Sequence, residues 1–143
     1  MQGHLNKMLY VNMEIEAKII GGKRTGKGES DITEISDSSS GLSITVDAFN
    51  SGQPNEKFKI FFASHKGFRA IEEGDLQRYE KVEIFRQPYC VYQIVKGGWS
   101  NGEVCEPDML NVVKLVGIRE WFIATTNLSL TVLSASEPTI ENV

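Results

Sequence analysis

The chain has 143 residues and a formal net charge of −4, with 41% hydrophobic and 24% charged residues. This length suits one domain, the composition excludes a disordered chain, and the negative charge argues against a binder of the nucleic-acid backbone. With neither an apolar run of about 18 residues nor a secretory leader pattern, we expect a cytoplasmic protein without a nucleic-acid or membrane partner.

A long amphipathic strand is predicted near the N-terminus. Its alternate residues are apolar, and the residues between them are polar or charged apart from Tyr10. A period of two is typical of a strand with one buried and one exposed face. The predicted buried face consists of Leu9, Val11, Met13, Ile15, Ala17 and Ile19.

Residues 21–41 form a polar segment whose only large apolar residues are Ile32 and Ile35. This composition predicts a long loop or an edge hairpin. Its first eight residues match the spacing of a phosphate-binding loop, G-x-x-x-x-G-K. However, Gly28 lacks the hydroxyl that would hold a magnesium ion, and a poor helix former follows. No nucleotide or other cofactor is therefore predicted.

Further strands are predicted from alternating or β-branched apolar residues bounded by turn signals. They lie at residues 42–48, 58–62, 67–71, 82–85, 89–95, 120–126 and 128–134.

Two helical elements and a frayed tail complete the prediction. Pro107 suits a first helical position and Gly117 a C-terminal cap, which predicts a helix between them. Residues 76–81 are predicted to form a helical turn. The acidic residues 137–143 are predicted to fray.

These elements predict a mainly β chain in a single domain, residues 1–143. About eight strands with one or two short helices favour an antiparallel β-sandwich or a strongly bent barrel, and an α+β fold stays open. Strand order and a homo-oligomeric state are left open as well.

The sequence provides little material for catalysis or metal binding. His4 and His65 are the only histidines, and neither has a second ligand at helical or strand spacing. Cys90 and Cys105 are predicted to be free thiols, although a bridge between them stays open. We therefore predict no catalytic residue and no metal ligand, and expect a protein that is not an enzyme.

The leading hypothesis is a module that binds another protein. Trp and Tyr side chains dominate the energetics of protein interfaces, and clustered carboxylates can steer a charged partner. The candidate binding residues are Trp99, Tyr92, Glu72, Glu73 and Asp75.

The alternative hypothesis is a barrel or sandwich that binds a small molecule in an aromatic-lined interior. The candidate lining residues are Phe58, Phe62, Phe68, Phe85, Tyr92 and Trp121.

Three segments resemble small bacterial proteins of this length, some of which are similar to toxin-neutralising immunity proteins. They are residues 68–76 (FRAIEEGDL), 121–125 (WFIAT) and 130–134 (LTVLS), within a region of similarity from about Lys57 to Pro138. The resemblance carries no functional residue. It implies a cytoplasmic, immunity-type interaction module whose partner is another protein.

Overall fold

The structure, a computed structural model, describes residues 14–26, 28–49, 54–103 and 117–143. The strands found in these residues are β1 (Glu16–Lys23), β2 (Ser30–Ser38), β3 (Gly41–Ala48), β4 (Glu56–Phe62), β5 (His65–Ile71), β6 (Tyr89–Lys96), β7 (Arg119–Ile123), β8 (Ser129–Ser134) and β9 (Thr139–Asn142). The helical elements are 3-10 turns at Glu73–Asp75 and Glu83–Arg86, helix α1 (Gln77–Glu80) and a π-helical turn at Trp99–Glu103.

The strands form two antiparallel sheets. Sheet A has the order β1-β6-β7-β8-β5, and sheet B has the order β2-β3-β4-β9. The predicted antiparallel β-sandwich is therefore confirmed, with two separate sheets rather than a barrel. In the described part of the chain no helix is long and apolar enough to cross a membrane.

The space between the sheets is filled by large apolar side chains. Alternate residues of β3 and β4 are buried and oppose one another in register, as in the pairs Ile44 with Ile60 and Val46 with Phe58. Such apolar cross-strand pairs fix the register, because a slip of one residue would expose every one of them. Sheet A contributes residues that include Val91, Trp121, Ile123, Leu130 and Val132.

The polar segment contains the edge strand of sheet B. Strand β2 pairs with β3 on one side, and beyond its first residues its side chains are exposed. Ile32 is buried, whereas Ile35 is exposed. In β1, Ile15 is buried just before the strand, but Ile19, which was predicted to lie on the buried face, is 40% exposed. The predicted positions 9–13 lie outside the described residues.

Two predicted elements are wrong and one is outside the described residues. Residues 82–85 are not a strand, since Glu83–Arg86 is a 3-10 turn. The tail does not fray, because Thr139–Asn142 pairs with the open edge of β4 and Ile140 packs against the core. Most of the predicted helix 107–117 falls within residues 104–116, which the structure does not describe.

Candidate functional site

Sheet A is buried on both faces near β6 and β7, because the helical segment 73–86 covers part of its outer face. Here the outer face means the one pointing away from sheet B. Tyr79 stacks on Phe122 with ring centroids 4.6 Å apart, and Phe85 meets Phe122 and Tyr92 edge-on at 5.0 Å. Every third residue of the segment is apolar, namely Leu76, Tyr79, Val82 and Phe85. Residues 73–86 are two 3-10 turns on either side of helix α1, and all four side chains belong to the cluster that packs against sheet A.

An apolar groove of about 310 Å³ lies between the helical segment and the β7–β8 connection. Its floor consists of Leu76, Tyr79, Phe85, Phe122 and Ala124. The polar residues that line it are Glu73, Glu80, Arg86, Thr125, Thr126 and the buried Ser129. An apolar floor with a few polar groups is typical of binding sites.

A second depression, of about 440 Å³, shares Glu73 with the apolar groove. We call it the acidic depression, because three of its lining residues are Asp31, Glu72 and Glu73; the others are Ile32, Asn127 and Leu128. Among the described residues, no lysine, arginine or histidine forms an ion pair with these three carboxylates or with Glu80. The two depressions therefore share a lining carboxylate, and no ion pair among the described residues neutralises their negative charges.

The outer face also carries a cluster of charged and aromatic side chains. We call it the arginine–tryptophan cluster, and it consists of Arg69, Arg78, Trp99 and Glu103. Glu103 forms ion pairs with both arginines, and the guanidinium of Arg69 lies 5.1 Å from the ring centroid of Trp99. Arg69 also donates a hydrogen bond to the hydroxyl of Tyr79 at 3.2 Å. Burial raises the pKa of Tyr79, and the negative charge of Glu103 raises it further.

The turn that carries Trp99 is anchored to sheet A by Glu120 of β7. This carboxylate is 1% exposed and accepts hydrogen bonds from the backbone N–H of Trp99 and of Ser100, each at 2.7 Å. The Ser100 hydroxyl donates a third hydrogen bond at 2.6 Å. A buried carboxylate needs such donors to offset its lost hydration, so Glu120 holds the turn in place.

The predicted binding residues are divided among three places. Glu72 and Glu73 line the acidic depression, and Glu73 also lines the apolar groove. Asp75 is exposed in the adjacent 3-10 turn and lines neither depression. Trp99 is half-buried in the arginine–tryptophan cluster and lines neither depression.

Tyr92 is a correction, because it is fully buried and presents no surface to a partner. Its ring packs under Phe85, and its hydroxyl donates to the backbone carbonyl of Gln87 at 3.2 Å. Burial raises its pKa to about 12. Tyr92 is therefore a core residue of the outer face.

The aromatic side chains predicted to line an interior pocket are mostly packed in the cores. Phe58, Phe62 and Trp121 are at most 2% exposed between the sheets, where Phe68 packs against them. Phe85 is the exception, because it lines the apolar groove. An aromatic-lined depression is therefore present, but at the surface of sheet A.

Leu76, Tyr79 and Phe122 line the groove but were not among the predicted site residues. The spacing of three residues from Leu76 to Phe85 is a sequence signal for an apolar face on the segment. Arg69, Arg78 and Glu120 had no such signal, because each acts through a contact with a residue distant in sequence.

The structure separates His65 from Cys90. His65 lies on β5 and pairs with Asp37 at 2.8 Å, whereas Cys90 lies on β6, three strands away in sheet A. Cys90 is a buried free thiol whose pKa burial raises to about 12, so it stays protonated at neutral pH. Cys105 lies outside the described residues, and no three described His, Cys, Asp or Glu side chains are placed to hold a metal ion.

Comparison of the chain with protein-family models, with curated proteins and with solved structures found no match.

Proposed function

We propose that this protein is a non-enzymatic module that binds another protein through the apolar groove and the acidic depression. The observation that carries this proposal is their continuity at Glu73, which lines both. A partner side chain buried on the groove floor would be surrounded by polar lining groups that exclude water, as at energetically important interface positions. An immunity-type inhibitor is the specific form that we favour.

The size and shape of the surface favour a protein over a small ligand. A polypeptide can fill the groove of about 310 Å³ and continue across Glu73 into the depression of about 440 Å³. The helical segment 73–86 is held to sheet A by stacked aromatic rings, so the surface is formed before a partner arrives. A preformed surface loses less conformational freedom on binding, which favours affinity.

The test is an affinity capture from a lysate of the source organism, followed by titration of the purified partner. Ala124→Phe places a large ring in the groove, and Ala135→Phe is the matched control, because Ala135 is exposed at the opposite end of β8. We expect a stoichiometric partner that binds the wild type and the control but not Ala124→Phe. A partner that binds all three proteins equally would contradict this site.

A small molecule in the same groove is the second candidate, favoured by the aromatic floor of Tyr79, Phe85 and Phe122. Native mass spectrometry of the protein incubated with a small-molecule extract distinguishes the two. An added mass of a few hundred daltons, absent from Ala124→Phe, would favour this candidate over a protein partner.

A further inference from the structure

Resting on the proposed function, we propose that the partner presents an exposed lysine or arginine next to an apolar side chain. The apolar side chain occupies the groove floor, and the cation lies against Glu73 at the boundary with the acidic depression.

The charges lining the surface carry this proposal. Four carboxylates line the two depressions, Asp31, Glu72, Glu73 and Glu80, against the single guanidinium of Arg86. No described cation forms an ion pair with any of these carboxylates. A cationic partner would therefore gain attraction without first breaking an internal ion pair, whereas an anionic partner such as nucleic acid would be repelled.

The other half of the outer face shows the contrast. In the arginine–tryptophan cluster, Glu103 pairs with both Arg69 and Arg78. Glu120 is also close by and accepts hydrogen bonds from the turn that carries Trp99. The charges of these two arginines and two carboxylates balance one another. Charge selection is therefore assigned to the two depressions that share Glu73.

The arrangement of apolar and acidic groups also sets the order of the partner's side chains. Leu76, Tyr79 and Phe85 line only the apolar groove, Asp31 and Glu72 line only the acidic depression, and Glu73 lines both. A chain crossing this surface therefore places its apolar anchor and its cation close together in sequence or in space. An apolar segment without a cation fills only the groove.

The experiment is an unbiased selection of peptides from a random displayed library on the immobilised full-length protein. Selected peptides are synthesised with a fluorescent label, and their Kd values are measured by fluorescence anisotropy. The variants are Glu73→Gln, Glu73→Gln combined with Glu72→Gln, Ala124→Phe, and Glu83→Gln. Glu83 is the matched control, because it lies on the same helical segment but lines neither depression.

We expect enrichment of peptides that carry Lys or Arg beside Leu, Phe or Trp. Their Kd should rise about tenfold in the double variant and less than twofold in Glu83→Gln. Enrichment of acidic or uncharged peptides, or no enrichment, would overturn the inference. If Ala124→Phe abolishes binding while the glutamine variants do not, the groove is the site and only the charge selection fails. If no variant has an effect, the proposed function fails as well.

Discussion

Replacement of Glu120 by glutamine should destabilise the protein more than the same replacement of an exposed glutamate. The carboxylate is 1% exposed and accepts hydrogen bonds from the N–H groups of Trp99 and Ser100 and from the Ser100 hydroxyl. A glutamine oxygen can still accept from Ser100, but its NH₂ group then faces the N–H of Trp99. The variant thus loses one charge-assisted hydrogen bond and leaves a buried donor without a partner.

The expected loss is about 3 kcal/mol of unfolding free energy, since a hydrogen bond to a charged group contributes about 1.5–3 kcal/mol. For a domain of this size, that corresponds to a fall in Tm of roughly 10 °C. Urea unfolding followed by circular dichroism measures the change, with Glu34→Gln as control, because Glu34 is exposed on β2. The control should change stability by less than about 0.5 kcal/mol.

Hydrogen exchange supplies the second measurement for this prediction. The amide protons of Trp99 and Ser100 should exchange much faster in Glu120→Gln, whereas that of Ile123, in the same strand, should follow only the change in global stability. A variant as stable as Glu34→Gln, with unchanged exchange at both turn amides, would refute the assignment of Glu120 as the anchor of this turn.

Three further predictions concern the sandwich. Gly22→Ala should lower the free energy of unfolding, measured by urea denaturation, by at least about 1 kcal/mol. The reason is that Gly22 has φ +72° and an added Cβ would overlap the Cys90 sulfur. An unchanged urea midpoint would contradict this packing. Burial raises the pKa of Cys90 and of Tyr92 from 9.0 and 10.0 to about 12. The two protonated groups therefore contribute fully to the stability of the folded protein below about pH 9, and this contribution is lost as pH rises to 12. In the double variant Cys90→Ala with Tyr92→Phe, the free energy of unfolding should fall less steeply with rising pH in this range. Ile140→Ser should lower stability by about 1–3 kcal/mol, since Ile140 packs against the core; a change as small as that of an exposed substitution would contradict its packing.

Local pattern in the sequence predicted most of the sandwich, because strand alternation is a local signal. In β3 and β4, the buried and exposed positions follow the predicted period of two residue by residue. The same rule also misassigned residues 82–85. Val82 and Phe85 are apolar and bounded by turn-like residues, as in a strand, but their spacing of three belongs to the helical segment. A window of four residues cannot separate these two periods.

The remaining misses depend on contacts between distant parts of the chain. The tail forms β9 because the edge of β4 is open to it, about 80 residues earlier in sequence. Tyr92 is buried because the helical segment covers the second face of sheet A, which alternation along β6 cannot reveal. The candidate site also combines local and distant signals. Glu72 and Glu73 were predicted from a local acidic cluster, but the apolar groove floor beside them was not predicted, apart from Phe85.

Tyr79 links the two surfaces on this face of sheet A. Its ring stacks on Phe122 and forms part of the groove floor, while its hydroxyl accepts a hydrogen bond from Arg69. The guanidinium of Arg78 lies 5.4 Å from the centroid of the same ring, so the groove and the arginine–tryptophan cluster both contact Tyr79. Substitutions at Trp99 report on the cluster, and those at Ala124 report on the groove. An effect of both on one partner would mean that the partner covers both surfaces.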